Sequence, residues 1–186
     1  MLSGPVTEVG FAQADISSAA ATEAAFARAW PSSSAAGLPL TVFHTADVIV
    51  PSDRSQLAYG FPKAVNVDGT ANVLAAARRA GADVFVYTSS ASIGIRPVEF
   101  WVRPGPSRWP RHFFQVLDDS DLGRKLRPHD EFFGNYPASK ASAERLVCAA
   151  NGDRFRTGCL RPANGVYGNP TDNTVGGPIH MQHNPT

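Results

Sequence analysis

Short apolar runs alternate with segments of helical periodicity along most of the chain, and this alternation limits the possible folds more than any other feature. Each apolar run is short and is followed by polar residues, as in buried strands. These runs predict strands at 9–14, 40–43, 84–87 and 155–160. Apolar residues at helical spacing predict helices at 19–30, 63–80 and 136–150. The alternation predicts an α/β fold, a parallel sheet with helices on both faces.

Two stretches lack any sustained period. Residues 94–130 mix Pro, Arg, Trp and acidic residues, and they predict an irregular excursion from the core. The stretch from about 168 is rich in Asn, Gly and Pro and predicts an irregular tail. Gly81 directly follows the second predicted helix and is expected to end it, because glycine accepts the left-handed conformation. We expect one partial domain over residues 1–186.

Composition limits the possible partners and location. Seventeen basic and sixteen acidic residues leave a formal charge of +1, so neither nucleic acid nor an anionic membrane is an expected partner. No run approaches the roughly 18 apolar residues of a transmembrane helix, and no signal peptide is visible. Cys148 and Cys159 are expected to be small apolar fillers in a reducing compartment. We therefore expect a cytoplasmic protein, with membrane association possible for a longer parent.

No metal site is expected. His180 and His183 have a spacing that metal sites sometimes use, but no third ligand lies near them in the sequence. The cysteines form no metal-binding motif.

The polar residues of chemical interest follow the predicted strands. In parallel α/β sheets, ligands bind at the carboxyl ends of the strands. The residues at these ends are Asp15, His44-Thr45-Ala46, Ser89-Ser90 and Arg161-Pro162.

Tyr136 and Lys140 are one helical turn apart, which places a phenol and an ammonium on the same helix face. A phenol titrates near 10 and is a poor base at neutral pH. A nearby ammonium favours the phenolate, so we expect Lys140 to lower the pKa of Tyr136 and enable proton exchange with an alcohol or carbonyl. Ser90 is the candidate for holding the same substrate oxygen, and Ser89 replaces it if the turn shifts by one residue.

Five motifs, in order, resemble those of extended short-chain dehydrogenases, most closely the 3-beta-hydroxysteroid dehydrogenase/isomerase branch. They lie at 42–46, 65–73, 86–90, 136–140 and 160–168. The resemblance implies a Rossmann-type fold, NAD or NADP as cofactor, and a small secondary alcohol, steroid-like or otherwise, as substrate. It also implies a possible homodimer in the full-length parent.

The resemblance implies catalytic roles for Ser90, Tyr136 and Lys140. Tyr136 would be the general acid/base, Ser90 would orient the substrate oxygen, and Lys140 would bind the nicotinamide ribose and tune Tyr136. The other implied cofactor-binding residues are Asp15, Ile16, His44, Thr45, Ala46, Asn66 and Pro162.

These cofactor-binding residues have different implied contacts. Asp15 and Ile16 would contact adenine, whereas residues 44–46 would line the phosphates and ribose. Asn66 would brace the neighbouring strand, and Pro162 would lie beside the nicotinamide. Each keeps a structural alternative: Asp15 leading into a helix cap, His44 as a core histidine, and Asn66 as an ordinary polar helix residue.

The chain departs from the family pattern at its beginning. No Gly-rich turn of the G-x-x-G-x-x-G type occurs, although the pyrophosphate normally sits on such a turn. We therefore expect an incomplete Rossmann-type sheet that lacks the first βαβ unit and binds cofactor weakly or not at all on its own. This chain alone is therefore expected to be inactive.

Three functional readings follow. The leading one is oxidation of a 3-beta-hydroxyl on a steroid or sterol-like substrate, with hydride passing to NAD(P). The alternative within enzymes is a nucleotide-sugar epimerase or small-carbonyl reductase. A sugar dehydratase is less favoured, because no acidic residue lies beside Ser89-Ser90. The last reading is a non-catalytic fragment that binds a partner through an exposed sheet edge.

Overall fold

The structure is a computed structural model that describes residues 9–29, 37–50, 53–100, 109–121 and 123–163. The predicted tail from about 168 lies outside these residues. Three strands form a parallel sheet in the order β1 (Thr41–His44), β2 (Val84–Thr88) and β3 (Arg156–Leu160). The α/β class and the parallel sheet are therefore confirmed.

The helices lie between and before these strands. The long helices are α1 (Ala19–Phe26), α3 (Gly69–Arg79) and α4 (Asn135–Ala149). A short α2 (Gly60–Pro62) leads into a π-helical turn (Lys63–Asp68) and then into α3. Short 3₁₀ helices lie at Gln56–Ala58, Ala91–Gly94 and His129–Glu131.

The three long helices among the described residues pack on the face of the sheet that carries Phe85 and Tyr87. Phe85 and Tyr87 of β2 are fully buried, and their core cluster includes Ala77 of α3 and Val147 of α4. Strands that are neighbours in sequence and space, joined by right-handed crossovers, place their connecting helices on the same side. On the opposite face, the described residues include an exposed Phe43 (70%).

The prediction of a strand at 9–14 is wrong. These residues contain no strand, and the side chain of Val9 is 85% exposed. A strand needs a neighbouring strand to satisfy its backbone groups, and the described sheet pairs β1 with β2 only. Apolar character alone therefore does not make this segment a strand.

The helix predicted at 63–80 begins as the π-helical turn and continues as α3. Pro62 precedes this turn, and a proline removes one backbone donor and crowds the preceding turn of a helix. Gly81 adopts a φ of 76° directly after α3, as expected for a glycine that ends a helix.

Arginine side chains attach the excursion to the body of the domain. We call Arg127, Arg145 and Arg161 the arginine anchors, because their guanidinium groups donate to backbone carbonyls of this region. Their acceptors are the carbonyl oxygens of Ile93, Ile95, Asp118, Asp121, Arg124 and Glu131. Apart from the bridge between Glu99 and Arg111, the described residues 95–121 contain no strand or helix.

Candidate functional site

The first turns of α4 lie against the carboxyl end of β2. Lys140 is 1% exposed, and its ammonium donates to the carbonyl oxygen of Thr88 at 2.5 Å. The same Nζ lies 4.5 Å from the ring centre of Tyr87 and 6.0 Å from that of Tyr136. The phenol and the ammonium therefore share one face of α4, as their spacing predicts.

Asp47 joins these two groups, and the sequence reasoning missed it. Its Oδ2 accepts a hydrogen bond from the hydroxyl of Tyr136 at 3.2 Å and lies 3.1 Å from Nζ of Lys140. Asp47 follows β1 by three positions, so the rule that singled out polar residues at strand ends could also have identified it. Two donors from one helix face thus converge on a single carboxylate oxygen.

Burial and the carboxylate of Asp47 reverse the expected decrease in the pKa of Tyr136. Burial, first, and the negative charge of Asp47, second, raise the pKa of Tyr136 to about 12. Burial also lowers the pKa of Lys140, while Asp47 opposes that decrease. The prediction of a lowered Tyr136 pKa is therefore wrong for this arrangement, because burial, first, and the charge of Asp47, second, both disfavour the phenolate.

Ser90 is the serine that meets Tyr136. The side chain of Ser90 lies near the phenol and offsets part of the increase in the pKa of Tyr136. The Ser90 hydroxyl also accepts from the backbone N–H of Ser92 at 3.2 Å and so caps the 3₁₀ helix Ala91–Gly94. The hydroxyl of Ser89 is buried and has no hydrogen-bond partner among the described residues. The geometry favours Ser90 over Ser89.

Asn66 is a buried brace beneath the site. Its amide Nδ2 donates to the carbonyl of Val48 at 3.0 Å and to the hydroxyl of Ser139 at 2.9 Å. Its Oδ1 accepts from the backbone N–H of Val48 at 2.8 Å. Asn66 therefore links the segment that carries Asp47 to the helix that carries Tyr136. It lies in the π-helical turn, a feature often found at functional sites.

The three residues from 44 to 46 do not act as a unit. The ring of His44 is buried, contacts Phe85 and Tyr87, and lies 2.9 Å from the hydroxyl of Thr70. Burial, followed by the charge of Lys140, lowers the pKa of His44 to about 4. Its side chain is thus a core histidine, whereas Thr45 and Ala46 are exposed after β1.

The remaining predicted cofactor residues have structural contacts of their own. Asp15 is exposed, and its Oδ1 accepts from the backbone N–H and hydroxyl of Ser17, so it leads into the start of α1. Ile16 packs against the core and against Gly69 of α3. The carbonyl of Pro162 accepts from the backbone N–H of Ala91 at 3.0 Å, which holds the end of β3 beside Ser90.

A cleft of about 240 Å³ lies between the excursion and α4. Its lining includes Arg127, Arg145, Glu144 and Arg161 but none of the catalytic candidates. Arg161 donates to Glu144 and Asp121, so these three charged groups of the lining pair with one another. The described residues include no helix that is long and apolar enough to cross a membrane.

Comparison with known proteins places this geometry in a family. The NAD-binding family model described as "Male sterility protein" matches residues 41–179. The 3 beta-hydroxysteroid dehydrogenase/Delta 5-->4-isomerase of Mycobacterium tuberculosis is 34% identical over 140 residues, which is 69% of this chain and 30% of that protein. Human 3 beta-hydroxysteroid dehydrogenase type 7 is 34% identical over 136 residues, 68% of this chain and 31% of that protein.

A sterol-4-alpha-carboxylate 3-dehydrogenase of Schizosaccharomyces pombe is 30% identical over 130 residues, 70% of this chain and 31% of that protein. The chain thus spans about a third of the length of the curated relatives that it matches. The solved structure of RMD from Pseudomonas aeruginosa complexed with NADPH has a TM-score of 0.52 at 22% identity. The match covers 82% of this chain and 42% of that one, and it supports the fold alone.

The family model and the curated relatives agree with the five motifs and with the parallel sheet. The chain therefore belongs to the extended short-chain dehydrogenase/reductase superfamily, and its relatives there are the 3-beta-hydroxysteroid dehydrogenases.

Proposed function

We propose that this chain carries the proton-handling part of an NAD(P)-dependent oxidoreductase that acts on a CH–OH group, with Tyr136 as the proton carrier. The observation that carries the proposal is the meeting of Tyr136, Lys140 and Ser90 at the carboxyl end of β2. The first two groups come from α4, and the third follows the strand. Their distance in sequence makes this meeting a property of the fold.

Each residue has a proposed task in the reaction. Ser90 holds the substrate oxygen, and Tyr136 exchanges a proton with that oxygen. A bound nicotinamide supplies the hydride donor or acceptor. With a pKa near 12, Tyr136 is protonated at neutral pH, which suits donation of its proton to a carbonyl. In the reverse direction Tyr136 must accept a proton from the alcohol, so Asp47 must raise the pKa of the phenol less than it does here.

The donors of the site fit a nicotinamide ribose. Tyr136 and Lys140 converge on one acceptor oxygen of Asp47, and ribose hydroxyl oxygens are acceptors of the same kind. We propose that the two residues hold the ribose and release Asp47 when they do so. Asp15, Ile16, Thr45, Ala46 and Pro162 stay proposed cofactor contacts, and for His44 only the backbone is available because its ring is in the core.

The described residues form no comparable binding site for the pyrophosphate. Among the described residues, no Gly-rich turn opens a helix at the end of a strand, so the backbone N–H groups that normally hold phosphates are not supplied there. The proposal therefore assigns this chain the ribose and proton-handling contacts and predicts a weak affinity for the whole cofactor.

The proposed substrate is a 3-beta-hydroxysteroid or a sterol-like secondary alcohol. The support is the names of the relatives, which include a sterol-4-alpha-carboxylate 3-dehydrogenase. We also propose a cytoplasmic location, in keeping with the free thiols of Cys148 and Cys159. A homodimeric assembly completes the proposal on the basis of family resemblance.

The test follows the appearance of reduced nicotinamide when the chain, fused behind a Gly-rich first βαβ unit, is mixed with a 3-beta-hydroxysteroid and millimolar NAD+ or NADP+. Turnover that Tyr136→Phe abolishes, with the circular dichroism spectrum unchanged, is the expected result. Parallel incubation with a UDP-hexose distinguishes the epimerase alternative. Turnover retained in Tyr136→Phe would remove Tyr136 from the mechanism, and turnover of the UDP-hexose alone would replace the steroid assignment.

A further inference from the structure

The only two cysteines in the sequence lie side by side in the fold. Cys148 is in the last turn of α4, and Cys159 is in β3. Their Sγ atoms are 3.8 Å apart, and both thiols are free. The proposed function uses neither residue.

The two thiols differ in their access to solvent. Cys148 is exposed, contrary to the expectation that it is a small apolar filler. Cys159 is half-buried and packs against the core cluster, as a filler would. An oxidant in solution therefore meets Cys148 first, with Cys159 positioned directly behind it. Burial also raises the pKa of the Cys159 thiol, which again makes Cys148 the first to react.

Contacts that do not involve sulfur hold the pair together. The hydroxyl of Thr157 in β3 donates to the carbonyl of Val147 in α4 at 2.6 Å. The backbone N–H of Thr157 donates to the side chain of Asn151 at 2.9 Å, in the turn that follows α4. Because Val147 and Thr157 neighbour the two cysteines, these bonds keep the thiols close before any oxidation occurs.

We propose that Cys148 and Cys159 form a reversible dithiol–disulfide modification site, oxidised by a small disulfide such as oxidised glutathione. The Sγ atoms must approach from 3.8 Å to about 2 Å, the length of an S–S bond. One thiol is near the end of a helix and the other is on the last strand of the described sheet, so small side-chain and backbone adjustments supply this movement.

The reaction balances without any other reagent. The thiolate of Cys148 attacks one sulfur of oxidised glutathione, forms a mixed disulfide and releases the first glutathione thiolate. Cys159 gives its proton to solvent and attacks Sγ of Cys148, which releases the second glutathione. The protein thus loses two protons and two electrons, and both are recovered in two molecules of reduced glutathione. Excess reduced glutathione reverses both steps.

The consequence of oxidation is a covalent link between α4 and β3. α4 carries Tyr136 and Lys140 at its other end, and β3 leads to Pro162 beside Ser90. The link therefore connects two elements that both end at the candidate site, without contacting the site itself. The inference does not depend on the proposed function, since the cysteines and the hydrogen bonds between their neighbours are sufficient for it.

The test places the full chain in glutathione buffers of graded redox ratio and measures its mass and free thiols. The expected product is a monomer that has lost two hydrogens and has no free thiol. The redox ratio for half oxidation should be at least about tenfold more reducing in buffer than in concentrated urea, because folding brings the thiols together. Cys148→Ser and Cys159→Ser serve as matched controls and should stop at mixed glutathione adducts.

Other results would overturn the proposal. A native chain that accumulates mixed disulfides without closing the internal bond would show that the thiols do not reach one another. Disulfide-linked dimers as the main product would make the chemistry intermolecular. An equal redox ratio in buffer and in urea would show that the fold contributes nothing to the pairing.

Discussion

Replacing Asp47 by asparagine should lower the pKa of Tyr136. The substitution keeps the shape of the side chain and removes the negative charge that lies 3.2 Å from the phenol oxygen. At an effective dielectric constant of about 20, two unit charges at this separation repel by about 5 kcal/mol, or about 4 pKa units, as an upper bound. The ammonium of Lys140, 3.1 Å from the same carboxylate, already offsets much of that repulsion.

We therefore expect a decrease of about 1–2 units from the value of about 12 in the parent. In Asp47→Asn, Lys140 loses its counter-ion and acts directly on the phenol, so the decrease has two causes of the same sign. The remaining burial of Tyr136 keeps its pKa at or above that of a free phenol.

Nuclear magnetic resonance of tyrosine labelled at Cζ follows the ionisation directly, and Tyr136→Phe identifies the resonance. Asp68→Asn is a matched control, because Asp68 pairs with Lys63 on the surface, away from the site. The control should leave the titration of Tyr136 unchanged. A Tyr136 pKa that stays the same or increases in Asp47→Asn would refute the electrostatic reasoning about this site.

Three further predictions concern the brace, the core histidine and the cofactor. Asn66→Ala removes three buried hydrogen bonds and should reduce the free energy of unfolding, measured in urea, by about 2–3 kcal/mol. The control Asn151→Ala, on the surface, should reduce it by less than about 1 kcal/mol. An equal loss in the two variants would contradict the bracing role. The pKa of His44 is about 4 when folded and about 6.5 when unfolded, so between these values the unfolded chain binds more protons. The free energy of unfolding should therefore fall by up to about 3 kcal/mol as the pH decreases through this window. Urea titrations of His44→Asn should not show this decrease. The same pH dependence in that variant would assign the effect to other groups. Isothermal titration of the chain with NADH should give a dissociation constant in the millimolar range or weaker, and a micromolar constant would show that the phosphates find another binding site.

The sequence predicted the elements whose signals are local. The strands at 40–43, 84–87 and 155–160 were placed within one residue of β1, β2 and β3, because their apolar runs end at polar residues. Lys140 was placed on the same face as Tyr136 by helical spacing alone. These features depend on periodicity, which a single sequence displays directly.

Features that depend on tertiary neighbours were not predictable in the same way. Val9 and Phe11 are apolar, yet no described strand pairs with their segment. Which face of the sheet is covered follows from the order of strands and not from any one of them. The charge of Asp47 acts on Tyr136 only because two distant segments meet. The spacing of Tyr136 and Lys140 therefore predicted their shared helix face but not the direction of the pKa shift of Tyr136.

The arginine anchors determine which conditions can loosen the excursion. A guanidinium group keeps its proton throughout the usual experimental range of pH, and a backbone carbonyl has no proton to gain. Acid or alkali therefore leaves these particular bonds intact. Free guanidinium ions compete for the same carbonyl oxygens, so low concentrations of guanidinium chloride should release this segment before an equally denaturing amount of urea does.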